Sequence, residues 1–270
     1  MTGTPLPVVH RAAADGVATI TLDRPRVNAY DIDLMTQLRA SVAAVNADPT
    51  IAVAILRSGR SGVFSVGADI KAWAANDDGG NQHLVDTARE TADAIAGSEK
   101  AWIALIAGHA LGGGLELALA CDLRFGADGD YQLGLPEVRL GLMPGNGGTQ
   151  RLLRLVGRSR AFELIATGES IGPERALAIG LLDRLSAAES MQAEAEAYAR
   201  ALANGPRQAL AAIKRSLREG EDLDLADGLD LERRLSDDLC GTPDASEGFA
   251  AAVAKRPAHF VPGDGGGDAN

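Results

Sequence analysis

Hydrophobic and polar residues alternate from Val17 to Leu22, and this two-residue period predicts a β-strand that ends at Asp23-Arg24-Pro25. Further short apolar segments predict strands at 51–56, 102–107, 123–125 and 131–133. Apolar residues then recur at helical spacing from Leu34 to Val45, and they predict a helix that Asp31 or Asp33 can cap.

A second helix is predicted at 83–96, after a loop that runs from residue 64 to residue 81. Units of strand, strand and helix thus recur through the first two thirds of the chain, although no sequence repeat is obvious. This order of elements is typical of the α/β class.

From Gly148 onward the pattern becomes mostly helical, with helices predicted at 158–167, 173–179, 187–202, 206–218 and 223–239. The turn signal Asn204-Gly205-Pro206 marks a joint between subdomains. We therefore predict an α/β core over residues 1–200, a helical C-terminal region over 201–260, and a disordered tail rich in Gly and Asp over 261–270.

The charge balance bears on the partners of the protein. Its 270 residues hold 26 Lys and Arg against 37 Asp and Glu, a net charge of -11, which argues against nucleic acid or an anionic membrane surface as the main partner. Two cysteines, Cys121 and Cys240, are too few for a disulfide framework and favour a reducing, cytoplasmic compartment. No signal peptide or transmembrane segment is expected.

Several common catalytic motifs are absent. None of the four histidines has a partner at zinc-ligand spacing, so no metal site is expected. The chain also lacks a phosphate-binding P-loop, a complete dinucleotide fingerprint and the Gly-x-Ser-x-Gly elbow of serine hydrolases. The sequence therefore lacks the motifs that usually indicate phosphoryl transfer, hydride transfer or serine hydrolysis.

The most informative stretch is a glycine turn at Gly112-Gly113-Gly114 that opens an apolar helix carrying Glu116. The first N–H groups of a helix have no intrahelical partner, so a bare backbone there can hold a carbonyl oxygen that becomes negative. A helix that is apolar on every face is buried, and glutamate is rarely buried without a partner. Glu116 is either a catalytic group, or a helix-start carboxylate favoured by the dipole or by an ion pair.

A second carboxylate, Glu137, lies in another apolar and glycine-rich segment at 134–152. Two such glutamates fit an acid–base pair in which burial raises at least one pKa towards neutrality. The alternative for Glu137 is a salt bridge with Arg139 or Arg151. A third segment, Gly67-Ala68-Asp69, follows a predicted strand and could supply a second backbone N–H donor, although such a sequence is usually only a turn.

Together these segments resemble the crotonase superfamily, the enoyl-CoA hydratase/isomerase family, over residues 17–260. The matching motifs are Asp23-Arg24-Pro25 with Asn28-Ala29, Gly67 to Lys71, Ala110 to Leu117, Pro136-Glu137, Pro144 to Leu152, Ala166 to Glu169, and Lys255-Arg256-Pro257. The resemblance implies an α/β fold in which a spiral of repeated ββα units, holding the active site, is followed by an α-helical C-terminal trimerisation region.

The resemblance also implies roles for individual residues. Ala68 and Gly113 match the two residues whose N–H groups form an oxyanion hole for a thioester carbonyl. Glu116 and Glu137 match the two catalytic glutamates, and Gly145 matches a glycine whose N–H helps to hold water. Residues that match or lie near coenzyme A and substrate contacts are Arg26, Ala29, Ala68, Asp69, Ile70, Lys71, Gly113 and Lys255.

The implied function is an enoyl-CoA hydratase that adds water reversibly, in the syn sense, to a 2-enoyl-CoA. Alternatives are an enoyl-CoA isomerase, another acyl-CoA enzyme of the family such as a hydrolase or decarboxylase, and a non-catalytic or RNA-binding member. Coenzyme A would be part of the substrate, so no separate cofactor is expected. The expected assembly is a homotrimer or a dimer of trimers. Departures from the family pattern include Tyr30-Asp31 after Ala29, and Ala252 before Lys255.

Overall fold

The computed structural model describes residues 7–260, which form two β-sheets. The larger sheet has the strand order β1 (Val9–Ala14), β2 (Val17–Leu22), β3 (Val53–Ser58), β5 (Ala101–Ile106), β7 (Leu123–Ala127) and β10 (Arg184–Ser186). The smaller sheet has the order β4 (Gly62–Ser65), β6 (Gly108–Leu111), β8 (Leu133–Gly134) and β9 (Ser170–Ile171). All neighbouring pairs are parallel except β1 with β2 and β8 with β9.

Residues 7–260 also form eleven α-helices and a 3₁₀ helix at Pro136–Leu140. The α-helices are α1 (Ile32–Ala47), α2 (Ile70–Ala75), α3 (Asp78–Ala96), α4 (Gly113–Leu119), α5 (Gly148–Val156), α6 (Arg158–Thr167), α7 (Pro173–Ala178), α8 (Met191–Ala203), α9 (Arg207–Gly220), α10 (Leu225–Leu239) and α11 (Pro243–Ala254). No helix within the described range is both long and apolar enough to cross a membrane.

The strand order shows the predicted repetition of ββα units. Strands β3, β5 and β7 lie in the larger sheet, and the strand that follows each of them, β4, β6 and β8, lies in the smaller one. A helix then follows each pair. Since β4, β6 and β8 are parallel neighbours, the segments that leave their carboxyl ends emerge at one edge of the smaller sheet.

Helices cover both faces of the larger sheet. Apolar residues of α1 and α3 share one core with alternate sheet residues such as Ile20 and Leu56. Residues of α8, including Ala195 and Ala199, pack on the other face against Ile55. Because the central strands are buried on both faces, they read in the sequence as continuous apolar runs rather than as alternating patterns.

The predicted loop at 64–81 is wrong, because this segment contains the end of β4, the whole of α2 and the start of α3. Asp69 caps α2 and Asp77 caps α3 through side-chain oxygens that accept backbone N–H groups. The glycines in the first turn of α3 obscure its start at the sequence level, since glycine favours loops over helices. Of the two predicted candidates for the cap of α1, Asp31 and Asp33, it is Asp31 whose side chain accepts the Leu34 N–H.

The C-terminal third is helical as predicted, with β9, β10 and α11 as additions. The boundary expected after residue 200 lies within α8, which packs on the larger sheet. Helix α10 packs on α9, and several large apolar side chains of this region are exposed: Ile213, Leu217, Leu225, Leu229, Phe249 and Val253. The tail predicted to be disordered, 261–270, lies outside the described residues.

An ion pair between a buried arginine and a partly exposed aspartate joins β7 to the segment before β10. Nη2 of Arg124 lies 2.8 Å from Oδ2 of Asp183, and the Arg124 side chain is only 4% exposed. Replacing Asp183 by Asn is expected to lower the free energy of unfolding by about 2–4 kcal/mol, because the guanidinium stays buried without a counter-charge. Urea unfolding measures this loss.

The matched control is Glu169→Gln, which removes the carboxylate of an exposed pair with Arg175. This control should cost less than about 1 kcal/mol. Equal losses of the free energy of unfolding in the two variants would show that the Arg124–Asp183 pair stabilises the protein no more than the exposed pair does.

Candidate active site

The turn after β4 presents the Ala68 N–H group. Ser65 is buried, and its Oγ donates to the Asn28 carbonyl at 2.8 Å and accepts from the Gly67 N–H at 3.2 Å. Tyr30 then forms a parallel bridge with Ala68, in which the Tyr30 N–H donates to the Gly67 carbonyl and the Asp69 N–H donates to the Tyr30 carbonyl. In a parallel bridge the N–H of the opposed residue points to the other side. The Ala68 N–H is therefore directed away from Tyr30.

The turn after β6 presents the Gly113 N–H group. Gly112 precedes α4 with φ 53° and ψ -133°, a conformation that favours glycine, and Gly113 is the first helical residue. Its N–H therefore has no intrahelical acceptor. A Cβ atom on Gly67 would lie 2.9 Å from the Gly113 nitrogen. The two turns are thus close together, and the Ala68 and Gly113 N–H groups lie on neighbouring backbone segments.

Glu116 is buried in the first turn of α4, with a relative exposure of 2%. Its Oε1 accepts hydrogen bonds from the Asn146 and Gly148 N–H groups, both at 2.8 Å. Burial raises the pKa of Glu116, and these two backbone bonds oppose that rise by stabilising the charged form. The ion pair considered as an alternative is not found, since Glu116 has no Lys, Arg or His within salt-bridge distance in residues 7–260.

Glu137 lies in the 3₁₀ helix after β8, and its Oε2 is buried without a hydrogen-bond partner among the described residues. Burial raises its pKa to about 7, and the nearby charge of Glu116 contributes in the same direction. The expected alternative of a salt bridge to Arg151 is wrong, because Nη2 of Arg151 pairs with Asp93 at 2.8 Å. Arg139 makes no salt bridge to Glu137 within residues 7–260 either.

Two further residues of this site carry no assigned role from the sequence. The hydroxyl oxygen of Tyr30 accepts a hydrogen bond from Nδ2 of Asn146 at 3.1 Å, and both side chains are buried. A Cβ atom on Gly113 would overlap that hydroxyl, so the phenol packs directly on the Gly113 backbone. Tyr30 was visible only as a departure from the family pattern, and Asn146 only as one polar residue among glycines.

The candidate coenzyme A contacts are less closely grouped. The Asp69 side chain caps α2 and pairs with Arg24 at 3.1 Å, and Arg24 also donates to the Ala29 carbonyl. Exposed positions are held by Arg26, Ile70, Lys71, Gly145 and Lys255. Lys255 ends α11 and makes no hydrogen bond or ion pair to the other candidates within residues 7–260. In that same range no group of three or more His, Cys, Asp or Glu is placed to hold a metal ion.

The sequence pattern of the enoyl-CoA hydratase/isomerase family matches residues 12–262. The chain belongs to this family. It is 38% identical over 252 residues to the "Probable enoyl-CoA hydratase echA8" of Mycobacterium leprae, covering 91% of this chain and 94% of that protein. It is also 36% identical over 245 residues to the 2,3-dehydroadipyl-CoA hydratase of Escherichia coli, covering 90% of this chain and 94% of that protein.

Solved structures of the enoyl-CoA hydratase/isomerase family share the fold. The crystal structure of an enoyl-CoA hydratase from Geobacillus kaustophilus superposes with a TM-score of 0.92 at 38% identity, covering 96% of this chain and 98% of that one. An enoyl-CoA hydratase from Bacillus anthracis gives a TM-score of 0.91 at 33% identity, covering 94% and 99% of the two chains. The predicted crotonase-like α/β fold is therefore confirmed.

Proposed function

We propose that this protein hydrates a 2-enoyl-CoA reversibly to a 3-hydroxyacyl-CoA. The proposal rests on one observation: two glutamates in different environments lie on segments that leave the same edge of the smaller sheet. Glu116 accepts two backbone N–H bonds that favour its charge, whereas Glu137 is half-buried with a pKa raised to about 7. One carboxylate suited to be a base and one suited to be an acid fit addition of water across a double bond.

The Ala68 and Gly113 N–H groups are proposed to bind the thioester carbonyl oxygen. Both lie on neighbouring turns, and each is left without a backbone acceptor by the local geometry described above. Two such donors polarise the conjugated alkene and stabilise the enolate-like charge that forms during addition. Each is worth roughly 3 kcal/mol in comparable sites.

In the hydration direction Glu116, ionised, takes a proton from the water that attacks the β-carbon. Glu137, protonated, gives its proton to the α-carbon. We assign to the Gly145 N–H, which neighbours Asn146 on the loop that holds Glu116, the role of helping to orient the water. After hydration the proton lies on Glu116, and a proton must pass from Glu116 to Glu137, directly or through solvent, before the next turnover. In the reverse direction the two glutamates exchange roles.

Coenzyme A arrives as part of the substrate, so the reaction needs no separate cofactor. Its phosphates are anionic, and Arg26, Lys71 and Lys255 are exposed cations available to meet them. We assign assembly into a trimer or a dimer of trimers to the surface of α9, α10 and α11, where several large apolar side chains are exposed and available to a partner subunit. A reducing, cytoplasmic compartment remains our expectation, with Cys121 and Cys240 as free thiols.

The direct test is incubation with a 2-enoyl-CoA while the absorbance of the conjugated thioester is followed. Loss of that absorbance with formation of the 3-hydroxyacyl product supports hydration. Appearance of the conjugated absorbance from a 3-enoyl-CoA, without hydration of the 2-enoyl-CoA, would instead indicate an isomerase. A panel of acyl chain lengths then defines the substrate.

The proposal also predicts a pH dependence. Glu137 must be protonated to act as the acid, and its pKa is raised to about 7, so kcat/KM for hydration should fall as pH rises through about 7. Glu116 must be ionised to act as the base, so kcat/KM should also fall on the acid side.

A bell-shaped profile of kcat/KM against pH is the expected result of a stopped-flow or steady-state series. In Glu137→Gln the alkaline limb of the residual activity should disappear. A profile that stays level across neutral and mildly alkaline pH would contradict the assignment of Glu137 as the acid.

A further inference from the structure

The loop Pro144–Gly148 supplies both hydrogen bonds that Glu116 Oε1 receives, so the position of this loop sets the environment of that carboxylate. Inside the protein the loop is held at Asn146. Its side-chain Nδ2 donates to the Tyr30 hydroxyl at 3.1 Å, and its carbonyl accepts from Nη1 of Arg151 at 2.7 Å. An exposed bond from Arg89 to the Gly145 carbonyl adds a third contact at 3.2 Å.

Tyr30 is itself fixed by the other half of the site. Its backbone N–H and carbonyl pair with Gly67 and Asp69, on either side of Ala68. Its ring is buried and its hydroxyl rests on the Gly113 backbone. One residue thus contacts the segment that carries the Ala68 N–H, the residue that carries the Gly113 N–H, and the loop that holds Glu116.

We propose that Tyr30 and Asn146 form a positioning pair, which fixes the Pro144–Gly148 loop and so aligns Glu116 with the Ala68 and Gly113 N–H groups. This inference rests on the hydration proposed above. Without the tyrosine hydroxyl the buried Asn146 amide loses a hydrogen-bond partner, and a buried amide without a partner is costly. The loop then relaxes, and its two N–H groups lose their alignment with Glu116.

The charged and titratable groups around Glu116 determine the direction of the effect. Glu137 faces it from the 3₁₀ helix, Tyr30 from the segment before α1, and Arg151 from α5, where Asp93 of α3 pairs with the guanidinium. All except the tyrosine hydroxyl remain in Tyr30→Phe. Weaker N–H bonds then oppose the effect of burial less, so the pKa of Glu116 rises. In the variant Glu116 is therefore protonated, and lost as a base, at a higher pH than in the wild type.

The test is Tyr30→Phe, which keeps the ring and removes the hydroxyl. We expect kcat for hydration to fall about tenfold, because small misplacement of a reacting group is costly, while KM changes less than about twofold. The acid limb of kcat/KM should move to higher pH by about half a unit, as expected for the loss of part of one hydrogen bond.

The matched control is Tyr198→Phe, which removes a phenol from α8, where its ring packs on Phe125 and Arg184. It should leave kcat and both limbs unchanged. A loss of kcat in Tyr30→Phe with an unmoved acid limb would overturn the positioning role, because it would indicate only a structural loss.

A second variant, Asn146→Ala, keeps the backbone N–H to Glu116 and removes the side chain. If the two residues act as one pair, the double variant should lose no more kcat than the larger single loss; multiplied losses would contradict the pair. Infrared titration of Glu116 in substrate-free protein, taken as the difference from Glu116→Gln, reads the same pKa shift without turnover. An unshifted Glu116 in Tyr30→Phe overturns the pair, whereas absence of hydration by the wild type overturns only the proposed function.

Discussion

Replacing Glu116 by Gln is expected to lower kcat for hydration of a 2-enoyl-CoA by about 10²–10⁴-fold, the usual contribution of a positioned base. The amide keeps the shape of the side chain and an oxygen that can accept from the Asn146 and Gly148 N–H groups. It cannot take a proton from water. Steady-state kinetics with thermal unfolding measured in parallel separates lost chemistry from lost fold.

The companion variant Glu137→Gln tests the second glutamate in the same way. It should show a loss of similar size, because its carboxyl is proposed to deliver the proton to the α-carbon. In Glu116→Gln the pKa of Glu137 should also fall, since the charge of Glu116 helps to raise it. If both amide variants hydrated substrate at the wild-type rate, the assignment of the two glutamates would be wrong.

Replacing Gly113 by Ala is expected to lower kcat/KM by about 10²-fold or more, the effect of losing one oxyanion donor. The added Cβ would overlap the Tyr30 hydroxyl and would lie 2.7 Å from the adjoining ring carbon. Because the ring is buried, the backbone that carries the Gly113 N–H must shift. Kinetics and circular dichroism together measure this effect.

Gly220→Ala is the matched control, since an added Cβ meets nothing within 4 Å at this position in α9. It should leave both activity and fold unchanged. Wild-type kcat/KM in a folded Gly113→Ala variant would contradict the proposed role of the Gly113 N–H.

The parts of the fold that the sequence predicts well are those with a strong local signal. The strand at Val17–Leu22 alternates, and the helix at Arg158–Thr167 begins after a glycine, so both bounds agree with the structure. The segment 64–81 failed because its helices are short or start with glycines, and their caps depend on side-chain oxygens. Short strands such as β9 and β10 are defined by partners far along the chain, which local periodicity does not reveal.

The residues of the candidate site also differ in how clearly the sequence reveals them. Ala68, Gly113, Glu116 and Glu137 follow strands that the smaller sheet pairs side by side, and sequence motifs proposed a role for each of the four. Tyr30 and Asn146 are 116 positions apart in sequence, so their hydrogen bond carries no local signal. Asp69 was assigned to the substrate, yet in the structure its carboxylate is engaged by Arg24 and the first turn of α2.

Strands β4 and β6 are paired directly, with Gly62 opposite Gly108 and Ser65 opposite Ala110. The spacing between the Ala68 and Gly113 donors is consequently fixed by the hydrogen-bonded pairing of β4 with β6 and not by a mobile lid. The conformational entropy of aligning these donors is lost when the chain folds and not when a ligand arrives. A thioester oxygen bound as we propose would therefore meet both N–H groups already in place, and more of its binding free energy would be left to discriminate between ground state and transition state.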